Sequence, residues 1–212
     1  MSKKTLRKYV CLKWGKSYEI TTYDSINADV DEDILDRVKS ADIFQMECPH
    51  CHETYIVSYP CLYHNAEKRF MVWLTEDIPS QDPIYKQLSE QGYILRRCKD
   101  LESFLEKIQL FEEGVDDRAV EFAKYDTFID YIQNRGKAED VTGVYFKELE
   151  GDILKMNLRL DDKGMTIQIP YDGLLEEMET HADMFTVDDV AFPVVDAAWI
   201  IQIFEAAEKN MN

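Results

Sequence analysis

The spacing of apolar residues changes character along the chain. Up to about residue 75 it favours strands. Segments 18–23, 43–47, 54–59 and 69–75 are rich in β-branched and aromatic residues. One helix is expected among them, with Asp29 and Glu32 as N-cap and capping box and Ile34, Leu35 and Val38 at helical spacing. Segment 75–83 holds two prolines and several turn formers and reads as a linker, and a short strand at 93–96 follows. The period then becomes helical. Leu101, Phe104, Leu105, Ile108 and Phe111 form one stripe on a helix capped by Asp100 and stopped by Gly114. A second helix runs from about 116 to 133, with Ala119, Phe122, Ala123, Ile129 and Ile132 inward and Gly136 beyond its end. Past residue 140 the period is two. Leu154, Met156, Leu158 and Leu160 alternate with polar residues, as do Met165, Ile167 and Ile169, with turns at 150–152 and 161–164. Two helices cover this meander, one near 173–181. The other is capped by Asp196 and carries Trp199, Ile200, Ile203 and Phe204 on one side.

This pattern is an α+β protein. It has a β module over residues 1–80, a helical segment over 84–136 packed on it, and an antiparallel meander with C-terminal helices over 140–212. The linker is short, and no long Gly/Ser run occurs. The β module and the meander are therefore expected to form one body, and Trp199 is expected in its core.

The chain has 212 residues, 45% of them hydrophobic, enough to build a packed core and to exclude a disordered chain. Its net charge is −18, and the excess lies beyond residue 77, because residues 1–77 carry 10 basic and 13 acidic side chains. Lys3, Lys4, Arg7, Lys8, Lys13 and Lys16 all precede the first acid, Glu19, so the N-terminus reads as a small basic patch on an acidic body. An acidic surface of this size repels phosphate backbones and anionic lipids, which disfavours nucleic-acid and membrane partners. No apolar run approaches the roughly 20 residues of a membrane span, and no signal-peptide core follows Met1. Five cysteines is an odd number in a mid-sized chain, which fits reduced thiols in the cytoplasm.

The sharpest local signal is Cys48-Pro49-His50-Cys51, two thiols on a tight turn that can face one ion. Residues 10–20 repeat residues 47–57 weakly. Cys11 aligns with Cys48, Ser17 with Thr54 and Tyr18 with Tyr55, while Trp14 stands where the second thiol belongs. Two such turns, each followed by a strand, make a zinc-ribbon-like arrangement. Cys11, Cys48 and Cys51 are the expected metal-site residues, with His52, His50 and His64 as candidates for a fourth ligand. Structural zinc wants four ligands, and an indole has no lone pair to offer. Zinc is therefore expected to be absent or substoichiometric, with Trp14 filling the space an ion would organise.

Cys48–Cys51, the Tyr23-Asp24-Ser25-Ile26-Asn27 run before an acidic helix, Tyr59-Pro60-Cys61-Leu62-Tyr63-His64, Phe70-Met71-Val72-Trp73, and the helix-turn holding Phe111, Gly114, Asp116, Asp117 and Arg118 together resemble the CpXC family of bacterial proteins. Val194-Val195-Asp196 with Trp199 resembles the end of longer members. The family takes its name from two Cys-Pro-x-Cys motifs, and the first motif here reads Cys-Leu-Lys-Trp. The resemblance implies a fold and a metal site, not a reaction.

Other patterns fail. Gly15-Lys16-Ser17 lacks the opening glycine of a phosphate loop, and Asp29-x-Asp31-x-Asp33 lacks the glycine and terminal carboxylate of a calcium loop. Cys61 with His64 has no orienting third group, Cys98 follows Arg96 and Arg97, and His181 sits among acids; no catalytic constellation emerges. The reading is a cytoplasmic binding protein with an unidentified protein partner, compatible with a homodimer. Its rivals are a nucleic-acid-linked regulator using the basic N-terminus and an enzyme using Cys51 or Cys61.

Overall fold

A computed structural model of the chain describes residues 2–30, 33–77, 82–161, 163–187 and 192–211 as an α+β protein. The chain divides into two units. The first runs to Gln109 and includes residues 192 and 193; the second begins at Leu110 and includes the C-terminal helix.

In the first unit β1 (Lys3–Val10) pairs antiparallel with β2 (Ser17–Asn27), from Lys4 opposite Tyr23 to Val10 opposite Ser17. The basic N-terminus is thus an edge strand, not a tail. Its sequence hides this because both faces are largely polar and exposed. Side chains fasten it instead: Thr5 Oγ1 donates to Asp24 Oδ2 at 2.6 Å, and Arg7 donates to Asp24 Oδ1 at 2.9 Å and to Thr22 at 3.1 Å. Helix α1 (Ile34–Lys39) follows, then the short hairpin of β3 (Gln45–Glu47) and β4 (Thr54–Ile56). Next come β5 (Cys61–Asn65), β6 (Phe70–Leu74), α2 (Pro83–Glu90) and β7 (Ile94–Cys98). The five-stranded sheet has the order β1-β2-β5-β6-β7, with β2/β5 and β6/β7 parallel. Its core includes Ile20, Ile26, Tyr63, Phe70, Val72 and Leu95, with Phe44 tilted against Tyr59 and edge-on to Phe104.

Several local expectations are corrected here. The strand expected over 54–59 stops at Ile56, opposite the first residue of β3; beyond it Val57 N still donates to Phe44 O at 2.8 Å, and pairing resumes in β5 after Pro60. Asp29 does not cap α1: its carboxylate accepts the amides of Ala66 and Glu67 at 2.9 and 3.2 Å, clamping the β5–β6 turn. Glu32 and Asp31 lie outside the described residues, as do residues 78–81 of the expected linker. Asp82 caps α2 through the Ile84 amide, with Pro83 at the first helical position.

Helix α3 (Leu101–Glu112) begins in the first unit and ends in the second. Asp100 caps it, accepting the Ser103 amide at 2.8 Å, and Gly114 ends it at φ +72°. In the second unit α4 (Asp117–Asn134) is capped by Asp116, whose own amide donates to Tyr171 Oη at 2.8 Å. The meander is β8 (Val141–Glu150), β9 (Ile153–Leu160) and β10 (Gly164–Pro170), with β9 central. The inward row of β9, Leu154, Met156 and Leu158, is buried, as period two requires. Helices α5 (Tyr171–Thr180) and α6 (Ala197–Met211) follow. Leu174, Met178 and Ile200 join the core with Ala119, Val120 and Ala123 of α4. Trp199, expected in the core, is only partly buried against it and rests 6.4 Å from the Phe185 ring. No helix among the described residues is long and apolar enough to cross a membrane.

Two outcomes follow from this packing. Leu154→Ala leaves a cavity at a fully buried site and costs about 2–5 kcal/mol, whereas Trp199→Ala costs less than the ~3–5 kcal/mol of a fully buried aromatic; urea unfolding of both variants checks the order. Asp24 is held down to about 2 by the Thr5 hydroxyl first, then Arg7 and Lys3. A depressed carboxylate stabilises the fold fully above its unfolded value of about 4 and loses that contribution as pH falls toward 2. The melting temperature should therefore drop across that window, and Asp24→Asn should flatten the drop.

Candidate metal centre

Two hairpins bring the cysteines together. The turn between β1 and β2 carries Cys11, and the turn between β3 and β4 carries Cys48 and Cys51. The turns share one backbone design. In the first, Cys11 N donates to Lys16 O at 2.9 Å and Gly15 N to Cys11 O at 2.8 Å. In the second, Cys48 N donates to Glu53 O at 3.0 Å and His52 N to Cys48 O at 2.9 Å. Gly15 and His52 both take left-handed backbone, at φ +66° and +57°. The residue after the second thiol position is therefore constrained by backbone conformation, which glycine meets freely and histidine does not. Trp14 and Cys51 occupy equivalent positions in the two turns.

The three Sγ atoms lie within 4.8 Å of one another, close enough to hold one metal ion. Cys11 Sγ and Cys51 Sγ are 3.7 Å apart, near the ~3.8 Å edge of a tetrahedron with metal–sulfur bonds of about 2.3 Å. Cys11 and Cys48 are buried and Cys51 is partly exposed. Burial raises the Cys11 thiol, but hydrogen bonds from the amides of Trp14 and Lys13 and from the neighbouring thiols outweigh it, bringing Cys11 down to about 7. The same burial wins at Cys48, which is pushed up despite the amides of His50 and Cys51. Three sulfurs within bonding reach of one point, two of them facing backbone amides, suit a thiophilic ion.

The surroundings hold residues that the sequence reading did not assign. Tyr55 Oη lies 4.0 Å from Cys11 Sγ and 3.9 Å from Cys51 Sγ and donates to Glu53 Oε2 at 2.9 Å. Glu53 in turn pairs with Lys13. The Glu53 carboxylate, burial and the thiols hold the Tyr55 phenol above its usual range. Tyr18 is the repeat-mate of Tyr55, and its hydroxyl is buried without a hydrogen-bond partner. The Tyr18–Tyr55 match in the repeat was the available signal for both.

The histidines stand apart from the thiol cluster. His52 Nδ1 pairs with Glu47 Oε1 at 2.9 Å on the exposed side of its turn. His50 stacks on Trp14, with centroids 5.7 Å apart and planes at 8°. His64 lies on β5 beside Tyr93, and burial lowers its pKa. Trp14 does not fill the space between the sulfurs: it is 50% exposed, with Lys16 Nζ 5.2 Å from its ring centroid. An indole is too large to enter a space bounded by three sulfurs this close, and outside it gains a ring and a cation.

Gly15 and His52 give a direct check on this geometry. Gly15→Ala forces a side chain into left-handed backbone and should cost about 1–2 kcal/mol, while His52→Gly relieves that strain and should raise stability. Urea midpoints under reducing conditions measure both.

No curated protein matches the chain, and no solved structure does. The family model described as CpXC protein matches residues 10–124. That span opens one residue before Cys11, contains all three clustered thiols and reaches into α4. Over more than half its length, then, and across the whole thiol site, the chain belongs to the CpXC protein family.

Proposed function

We propose that this chain is a non-enzymatic binding protein of the bacterial cytoplasm, with a zinc-ribbon-like module that offers an apolar surface to a protein partner. The observation carrying this reading is the exposure of Leu6, Val10, Leu12 and Trp14 on the first hairpin and Ile56 on the second, with Leu12 at 78%. Large apolar side chains collected on one module mark interaction surfaces. The cytoplasmic assignment is supported by five cysteines that are all free thiols, two of them 3.7 Å apart.

Against nucleic acid, the basic end is already engaged. Lys3 and Arg7 pair with Asp24, Lys13 pairs with Glu53, and Lys4 and Lys16 lie over aromatic rings. Against catalysis, Cys61 is fully buried, and burial pushes its thiol up to about 12. His64 is three residues along the same strand and so projects from the opposite face. Zinc in this reading is absent or substoichiometric, because sulfur supplies three donors and no histidine joins them.

Paired substitution at the surface tests the proposal. Affinity capture from the source cell should recover a partner with wild-type protein and lose it with Leu12→Ser/Trp14→Ser at unchanged melting temperature; equal recovery counts against the surface. A mobility shift with DNA or RNA at low salt should be absent, and a salt-sensitive shift would favour the regulator instead. A melting temperature indifferent to EDTA is expected, and a chelator-induced loss would mean that zinc is structural.

A further inference from the structure

The thiol cluster lies beside the proposed docking surface but has a chemistry of its own, and the inference drawn from it stands independently of that surface. Three sulfurs converge, and no fourth histidine, cysteine, aspartate or glutamate joins them among the described residues. The repeat places Trp14 at the fourth corner, and its ring stacks outward on His50. The Tyr55 hydroxyl, 4.0 and 3.9 Å from Cys11 Sγ and Cys51 Sγ, is engaged with Glu53. A guest that needs four donors is one short here. A guest satisfied by three sulfurs is not.

Charge narrows the choice further. Three thiolates around a monovalent soft cation leave two net negative charges, and around a divalent one they leave a single negative charge. Two of the sulfurs are buried, and the nearby Lys13 is already paired with Glu53. A buried net negative charge is costly, all the more in a chain of net charge −18. A trivalent centre bound to three thiolates is neutral. It is also three-coordinate, with a lone pair where the fourth ligand would be, so it needs nothing from Trp14.

We propose that Cys11, Cys48 and Cys51 form a three-thiol site for a trivalent arsenic or antimony oxyacid. Arsenous acid carries three hydroxyl groups on arsenic. Each thiol replaces one of them: an As–O bond breaks, an As–S bond forms, and the thiol proton leaves with the hydroxyl as water. Three waters depart for each ion bound, and arsenic stays trivalent, so no oxidant or reductant enters. The Cys48–Cys51 pair supplies two bonds from one turn. Cys11 supplies the third from the other hairpin, which closes the ring across both turns.

Mass spectrometry reads this bond count directly on the full-length reduced protein titrated with sodium arsenite. A three-thiol adduct gains one arsenic and loses three hydrogens. A two-thiol adduct retains one hydroxyl on arsenic and is heavier by one water. Wild type should give the three-thiol mass, and Cys11→Ser only the two-thiol mass, with affinity weaker by at least about tenfold because the third bond is intramolecular. A molar excess of zinc should not displace arsenite from wild type. In Trp14→Cys, which restores a fourth thiol at an exposed position, zinc should compete. A two-thiol mass in wild type overturns the proposal even if Cys11→Ser fails to fold, and so does displacement of arsenite by zinc from the wild-type site. Neither result bears on the Leu12/Trp14 docking test.

Discussion

The architecture of the first unit depends on one continuous strand. β2 spans eleven residues, and its two ends do different work. At its start Ser17 and Tyr18 close the turn that holds Cys11; at its end Ser25, Ile26 and Asn27 pair in parallel with Leu62, Tyr63 and His64. Between the two ends the register slips by one residue: Lys4 faces Tyr23 and Lys3 faces Ser25, which leaves Asp24 as the extra residue of a β-bulge. From that position Asp24 receives Thr5 and Arg7 from β1 and fastens the edge strand beside the bulge.

The thiol site is better understood as a paired turn with one altered member than as an isolated cluster. Both turns use the same two backbone hydrogen bonds and the same left-handed residue, so the backbone positions four side chains whatever their chemistry. Three of those side chains are thiols. The fourth is an indole that turns outward and stacks. Backbone amides face both Cys11 and Cys48, and at Cys11 they outweigh the cost of burial.

How legible this was depended on burial. The meander of the second unit could be read from period two because β9 has one buried face, and the caps at Asp100 and Asp196 announced two helices correctly. The repeat of residues 10–20 in 47–57 anticipated that Cys11, Cys48 and Cys51 meet. β1 was hidden because an exposed edge strand needs no apolar alternation, and α2 because none of its residues is buried. Asp29 looked like a cap since local spacing cannot distinguish a carboxylate that serves its own helix from one that reaches a turn 37 residues away. Trp14 was misplaced for a related reason: composition suggests a core residue, whereas the closeness of the three sulfurs excludes it and a ring and a cation hold it outside.

The two hairpins that share the thiols differ in how firmly they are anchored. The first is built from β1 and β2, paired from Val10 opposite Ser17 to Lys3 opposite Ser25 within the five-stranded sheet. The second pairs only three residues of β3 with three of β4 in a separate two-stranded sheet, extended by the Val57 amide donating to the Phe44 carbonyl at 2.8 Å. Opening events in a folded chain concentrate where few hydrogen bonds must break. Cys48 and Cys51 thus ride on the element with fewer ladder hydrogen bonds to break, and Cys11 on the longer one. A guest bound to all three sulfurs joins the short hairpin to the long one and should slow exchange of the short hairpin's amides.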